Sequence, residues 1–250
     1  MISDLRVVVI RVRLVQTDWL ESKAGQALFR QECLLAQGVL ERVFGDQIVQ
    51  IGGWGPAGRL LESARTQATI VLTPDVADQA DAYSQPEHLA IRSDSVDAVL
   101  LPHILETSPN PHAVLREVHR ILRPDGRLIV LGFNPFSWWG TRHRVSLHGY
   151  PQGIRRHISR RRLKDWLRLL NLSIDEVRPC YLRPPSNNLL RRLQKSGYFA
   201  NGYLLMARKE TIPVTVVRPR LGRRPTLVEG LVNSPTRSAA RAMSVSATHE

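Results

Sequence analysis

Only two cysteines occur among the 250 residues, Cys33 and Cys180. Two lone thiols so far apart suit a reducing compartment and make no zinc site without other ligands, so no metal is expected. The chain also lacks any run of about 18 apolar residues, which excludes a membrane-spanning helix as an expectation. The short apolar run 7–10 is cut by Arg11 and Arg13. That breaks the core of a signal peptide, and a cytoplasmic location is expected. No internal repeat is visible. Acidic residues are scarce in the second part of the chain. Residues 1–140 carry 13 Lys and Arg against 16 Asp and Glu, a net −3, whereas residues 141–250 carry 22 against 6, a net +16.

What is present is ordinary for a globular protein: 43% hydrophobic and 23% charged residues, which excludes disorder over most of the length. The size allows one large domain with an appendage. Residues 18–44 have helical spacing, with Trp19, Leu28, Leu35, Val39 and Leu40 recurring, and Gly45 is expected to end that helix. Apolar strands are expected at 48–51, 68–72, 96–101 and 127–133, a short helix at 59–64, and a strong helix at 111–122 with proline in its first turn. Residues 76–87 are polar and read as irregular or weakly helical. A basic amphipathic helix is expected at 159–170 and late strands at 173–181 and 203–208, with a loop and short helix at 184–195 between them. Strands alternating with helices predict an α/β fold with a mostly parallel, Rossmann-like central sheet. Residues 1–210 form that domain. Residues 211–250, rich in Pro, Arg, Ser and Ala, read as an extended basic tail.

The segment Ile48-Val49-Gln50-Ile51-Gly52-Gly53-Trp54-Gly55 is a strand running into a glycine-rich turn. Glycine lets a backbone approach a ligand closely, and a helix start beyond the turn would offer free N–H groups. Residues 53–58 also fit G-x-G-x-x-G, a weak pattern that keeps a nicotinamide-dependent oxidoreductase open. Asp97, at the start of a strand, is suited to accept backbone N–H groups or to pair with an arginine. In Arg123-Pro124-Asp125-Gly126 the glycine is expected to supply a positive φ. His112 and His119 lie on one helix without a third ligand and read as surface or packing residues.

The most specific stretch is 88–130. A Ser/Asp turn leads into a strand, then a short loop with His103 and Glu106, then a helix ending in Glu117, Arg120, Leu122, Pro124, Asp125 and Gly126. This order resembles the class I S-adenosylmethionine-dependent methyltransferases, in particular the type-11 methyltransferase domain, over residues 45–135. The resemblance implies the class I methyltransferase fold, S-adenosyl-L-methionine as cofactor, and transfer of a methyl group to a small-molecule acceptor. It places the methionine part of the cofactor on Gln50, Gly52, Gly53, Trp54 and Gly55, and the ribose on Thr73 and Asp75. The adenine falls on Ile91, Arg92 and Ser93, and the methyl group faces Leu101, Pro102 and His103. His103 is the one candidate for a catalytic base. The turn departs from the family's usual acid-x-G-x-G-x-G, with Gln50 in place of the acid, and Thr73 stands where an acid is usual. A non-catalytic binding protein of the same fold is therefore the alternative. The aromatic loop 134–140 reads as an acceptor wall or a packed lid. The arginines at 142–162 (Arg142, Arg144, Arg155, Arg156, Arg160, Arg161 and Arg162) and at 218–224 suit an anionic or nucleic-acid partner, or simply a solvated basic face. If the glycine turn touches the cofactor, Gly53→Val abolishes S-adenosylmethionine binding in calorimetric titration and leaves the fold intact.

Overall fold

The computed structural model describes residues 19–74, 80–145, 150–151, 154–182 and 200–210. The strand-like start at 1–17, the loop and helix at 184–195, Asp75 and the tail beyond 210 lie outside the described residues. Helix α1 (Lys23–Leu40) leads into β1 (Phe44–Ile51), β2 (Arg65–Thr73), β3 (Ala82–Tyr83) and β4 (Val96–Pro102). Then come α2 (Ile104–Thr107), α3 (Pro111–Ile121), β5 (Leu122–Phe133), α4 (Trp138–Val145), α5 (Arg160–Leu169), β6 (Leu172–Cys180) and β7 (Gly202–Lys209). The strands form one seven-stranded sheet in the order β3-β2-β1-β4-β5-β7-β6. The first five pair in parallel, and β7 runs antiparallel to both β5 and β6.

Side chains alternate across a strand, so a strand covered on both faces must be apolar at every position. The central strands follow that rule. Val49, Val99, Leu101, Leu128, Val130 and Leu205 join α3 and α5 in one core, through Val114, Leu115, Val118, Leu163 and Leu167. Their neighbours Ile48, Ala98, Leu100, Ile129, Leu131 and Leu204 join α1 in the other, through Leu28, Ala36, Val39 and Leu40. Three of the helices start on a side-chain cap. Ser22 accepts the Gly25 amide for α1, Asn110 the Ala113 amide for α3, and Ser159 the Arg162 amide for α5. Both cysteines are free thiols, Cys180 buried and Cys33 half-buried. Among the described residues no helix is long and apolar enough to cross a membrane.

The structure departs from the sequence reading in several places. Gly45 does not end the helix. It lies within β1, where a Cβ would stand 2.5 Å from the Asp97 carboxyl carbon. The helix expected at 59–64 is a single 3-10 turn, Arg59–Leu61. The polar stretch 76–87 contains β3, an exposed two-residue edge strand whose polarity hides it from any periodicity. In the first part of β5 the positive φ belongs to Asp125, at 62°, and not to Gly126. Gly126 is small for a different reason: a Cβ there would meet the Arg123 carbonyl at 2.8 Å and the Asp97 carbonyl at 3.2 Å.

Asp97 both accepts backbone amides and pairs with an arginine. It takes the amides of Asp46 at 2.7 Å and Gln47 at 2.8 Å, and Arg123 Nη1 at 2.7 Å. Burial pushes its carboxyl up, but the Gln47 amide, Arg123 and the Asp46 amide outweigh that and hold it below the usual carboxylate range. One side chain thus joins β1, β4 and the start of β5 at the N-terminal edge of the sheet. Asp97→Ala is expected to lower unfolding free energy by about 2–3 kcal/mol, the cost of stranding two amides and a guanidinium, and urea denaturation measures it.

Candidate functional site

In an open parallel sheet, ligands bind at the carboxyl ends of the strands. Here that edge is formed by the ends of β1, β2 and β4. Gln50 is buried at 1% exposure. Its amide nitrogen donates to the Gly52 carbonyl at 3.0 Å, whereas its Oε1 is buried with no partner among the described residues. Gly52 follows with φ 104°, and a Cβ on it would press against Ile104 at 3.2 Å. Beyond it the turn folds back on the protein. Trp54 is fully buried, its indole N–H donating to Glu32 Oε2 at 2.7 Å. Gly55, φ 72°, lies beneath the Phe29 ring. Because only a 3-10 turn follows, the helix start expected to offer N–H groups at this place is not formed.

His103 leaves β4 with φ 55°. It is buried at 1% exposure, and both ring nitrogens are engaged. Nε2 meets Glu32 Oε1 and Nδ1 meets Glu106 Oε2, each at 2.8 Å. The second oxygen of Glu106 accepts the amides of Phe133 at 2.8 Å and Ile158 at 3.5 Å. The imidazole also packs against both Trp54 and Phe133, with each ring centroid 4.2 Å away. Burial pushes His103 towards its neutral form. The carboxylates of Glu32 and Glu106 outweigh burial and lift its pKa to about 9. Burial also lifts Glu106 above the usual carboxylate range, against the pull of His103 and the two amides. With one proton in each of the two ring–carboxylate bonds, an imidazolium between two carboxylates and a neutral imidazole beside one carboxylic acid carry the same net charge of −1. The expectation that His103 serves as a base therefore fails. A general base needs a free lone pair within reach of the substrate, and neither nitrogen of this buried ring has one.

A second histidine lies beside this trio. His157 stacks on Phe133 at 5.3 Å, and its Nε2–H donates to the Tyr150 carbonyl at 2.9 Å. Burial first, then the neighbouring His143, lowers its pKa to about 3. The ring is neutral, and its Nδ1 lone pair is buried with no partner among the described residues. The loop after β5 divides its aromatics. Trp139 is buried against Trp19, Phe133 and Tyr150, whereas Phe136 and Trp138 stay exposed. Asn134 and Ser137 fix this loop, with Ser137 Oγ donating to the Asn134 carbonyl at 2.7 Å.

The structure brings Gln50, Gly52, Trp54, Thr73, Leu101, Pro102 and His103 to one edge, with Thr73, Leu101 and Pro102 buried in the strand ends. Gly53 and Gly55 are exposed on the turn. Ile91, Arg92 and Ser93 are not brought there. They precede β4, at the opposite edge, where Arg120 grips the Leu89 and Ile91 carbonyls and Ser93 Oγ, and Glu117 accepts the Leu89 amide. Glu117 and Arg120 are the residues of the helix-end motif, so that motif clamps a loop rather than touching a ligand. Sequence reasoning gave Glu32 no role. Its signal was an acid within the apolar stripe Leu28, Ala36, Val39 and Leu40 of α1, where an unpaired charge would be costly.

The family described as a methyltransferase domain matches residues 53–130. The uncharacterized protein YafS of Escherichia coli is 37% identical over 179 residues, spanning 70% of this chain and 73% of that one. The ubiquinone/menaquinone biosynthesis C-methyltransferase UbiE of Rubrivivax gelatinosus is 28% identical over 109 residues, 38% of this chain and 42% of the relative. Among solved structures, an S-adenosylmethionine-dependent methyltransferase of Mesorhizobium loti superposes with a TM-score of 0.52 at 16% identity. It covers 71% of this chain and 97% of its own, which shows a shared fold.

The buried His103 and the half-buried His157 set opposite limbs of the stability–pH curve. His103, raised from 6.5 to about 9, stabilises fully below pH 6.5, and that contribution is lost as pH rises towards 9. His157, lowered to about 3, is protonated more readily in the unfolded chain, so stability falls as pH drops from 6.5 towards 3. Urea midpoints measured across this range are expected to peak near pH 6.5, where His103 is still charged and His157 neutral in both folded and, increasingly, unfolded chains. Glu32→Gln is expected to flatten the alkaline limb.

Proposed function

The chain belongs to the class I methyltransferase family, and from that premise we propose that it binds S-adenosyl-L-methionine at the carboxyl ends of β1, β2 and β4 and methylates a small-molecule acceptor. The observation that carries this reading is the orphaned Oε1 of Gln50. A buried acceptor without a donor costs about 1–3 kcal/mol, so the end of β1 is built for a donor that arrives with a ligand. The cofactor's ammonium group is such a donor. Gly52, held at φ 104°, keeps the backbone free of a Cβ beside it.

The electrostatics agree. Gln50 and Thr73 replace the acids usual in the family, but the trio of Glu32, His103 and Glu106 supplies a net negative charge at the same edge. A cationic ligand is favoured by it, the more so in a low dielectric. When bound, the cofactor supplies an electrophilic methyl group on a sulfonium. The chain's own contribution is then to hold and align. Gln50, Gly52, Gly53, Trp54, Gly55 and Thr73 form the holding edge, and Leu101 and Pro102 wall it. Trp54 is locked in place by Glu32, so the turn is pre-organised rather than folded on binding. Alignment of acceptor and donor supplies much of the rate in such a transfer, and no proton-abstracting residue is required by it. His103 acts as a positioning residue, holding the ends of β4 and β5 and the glycine turn in register.

Calorimetric titration tests the reading. The folded protein is expected to bind S-adenosylmethionine and S-adenosylhomocysteine with micromolar affinity and NADH not at all. Gln50→Leu should weaken that binding by about tenfold or more, as expected for a lost hydrogen bond to a charged group, with its circular dichroism unchanged. A folded protein that binds neither compound overturns the proposal.

A further inference from the structure

Helix α4 buries Trp139 and Gly140 but turns two other apolar side chains outward. Trp138, Arg142 and Val145 stand at i, i+4 and i+7, on one face of the helix. That face points to solvent, with Trp138 76% and Val145 82% exposed, and Phe136 just before the helix is 57% exposed. Arg144 is exposed on the same last turn. The Arg142 guanidinium lies 4.4 Å over the Tyr150 ring, which leaves its charge at the surface. The surrounding sequence is basic without interruption. From Phe136 to Lys164 there are eight Lys and Arg and no Asp or Glu.

We propose that this face of α4, together with Phe136, docks on an anionic lipid bilayer. Outward tryptophan and aliphatic side chains ringed by arginines are the composition that buries itself at the headgroup boundary of acidic membranes. Phe136, Trp138 and Val145 leave three large apolar side chains exposed within ten residues, and clustered exposed apolar side chains rimmed by polar ones mark interaction sites. The aliphatic component decides between lipid and single-stranded nucleic acid. Nucleic-acid grooves pair cations with stacking rings, and Val145 offers no ring to stack. The position is also apt. Helix α4 follows directly from the carboxyl end of β5, so docking brings the same sheet edge that carries Gln50 and Gly52 towards the bilayer. On the function proposed above, a lipid-dissolved acceptor would then reach the site without crossing water.

Flotation of the full chain with vesicles tests the docking without any cofactor, so its outcome is independent of cofactor binding. Vesicles of phosphatidylcholine with phosphatidylglycerol are expected to carry the protein, and phosphatidylcholine alone is not. Arg142→Glu should weaken binding by about tenfold or more, since each surface charge near an anionic membrane is worth roughly a fivefold change. Trp138→Ser should weaken it by about fivefold through lost apolar insertion. Arg116→Glu, on the exposed side of α3, carries the same charge change away from this face and should alter binding by no more than about twofold. Failure to bind anionic vesicles overturns the proposal, as does binding that Trp138→Ser and Arg142→Glu leave intact. Retention of single-stranded RNA without vesicle binding also overturns it, in favour of a nucleic-acid partner.

Discussion

Glu32, His103 and Glu106 form the interaction on which the site depends. One imidazole, two carboxylates, an indole N–H and two backbone amides meet in a space closed to water. Such a cluster is expensive to bury and more expensive to break, because losing one member strands charges in a low dielectric. That asymmetry gives it structural authority. It joins α1 to the glycine turn, the turn to the end of β4, and β4 to the end of β5 and the segment at 154–158. These are the pieces a ligand at the sheet edge would touch. The aromatic rings of Trp54, Phe133, Trp19 and Trp139 pack around it and keep water out. The cluster and its hydrophobic shell therefore act as one unit.

The same cluster resolves an oddity of the glycine turn. Relative to the family pattern the turn lacks its acid and two of its glycines, where Trp54 and Pro56 stand, which read alone suggests a worn binding site. Carboxylates stand instead one layer inward, Glu32 on α1 and Glu106 on α2. Trp54, standing where a glycine is usual, is not a bulky intruder. It is the bolt that fastens the turn to Glu32. The opposite edge of the sheet is tied in a different way, by Asp97 and Arg123, and by Lys209 reaching Asp94 and the carbonyls of His119 and Leu122. One edge is held by exposed or half-exposed ion pairs, the other by a buried one. Only the buried one faces the strand ends where α/β sheets bind ligands.

Much of the architecture was legible in the residues themselves. Continuous apolar runs in β1, β4 and β5 announced strands covered on both faces, because alternate side chains each need a helix to bury against. Proline at the first turn and Val114, Leu115, Val118 and Ile121 on one face announced α3, and Asp97 announced its own role as a cap. Tertiary structure decided what depends on distant partners. Glu32 and His103 are 71 residues apart, and no local pattern couples them. Ile91, Arg92 and Ser93 lie at the opposite edge from Gln50 and Gly52 for the same reason. Their edge of the sheet is set by where Arg120 reaches, which is a matter of packing. Local sequence determines periodicity, caps and turns, since these rest on contacts within a few residues. Protonation states and the closure of a site rest on which charges burial forces together, and only the assembled sheet brings those charges within hydrogen-bond range.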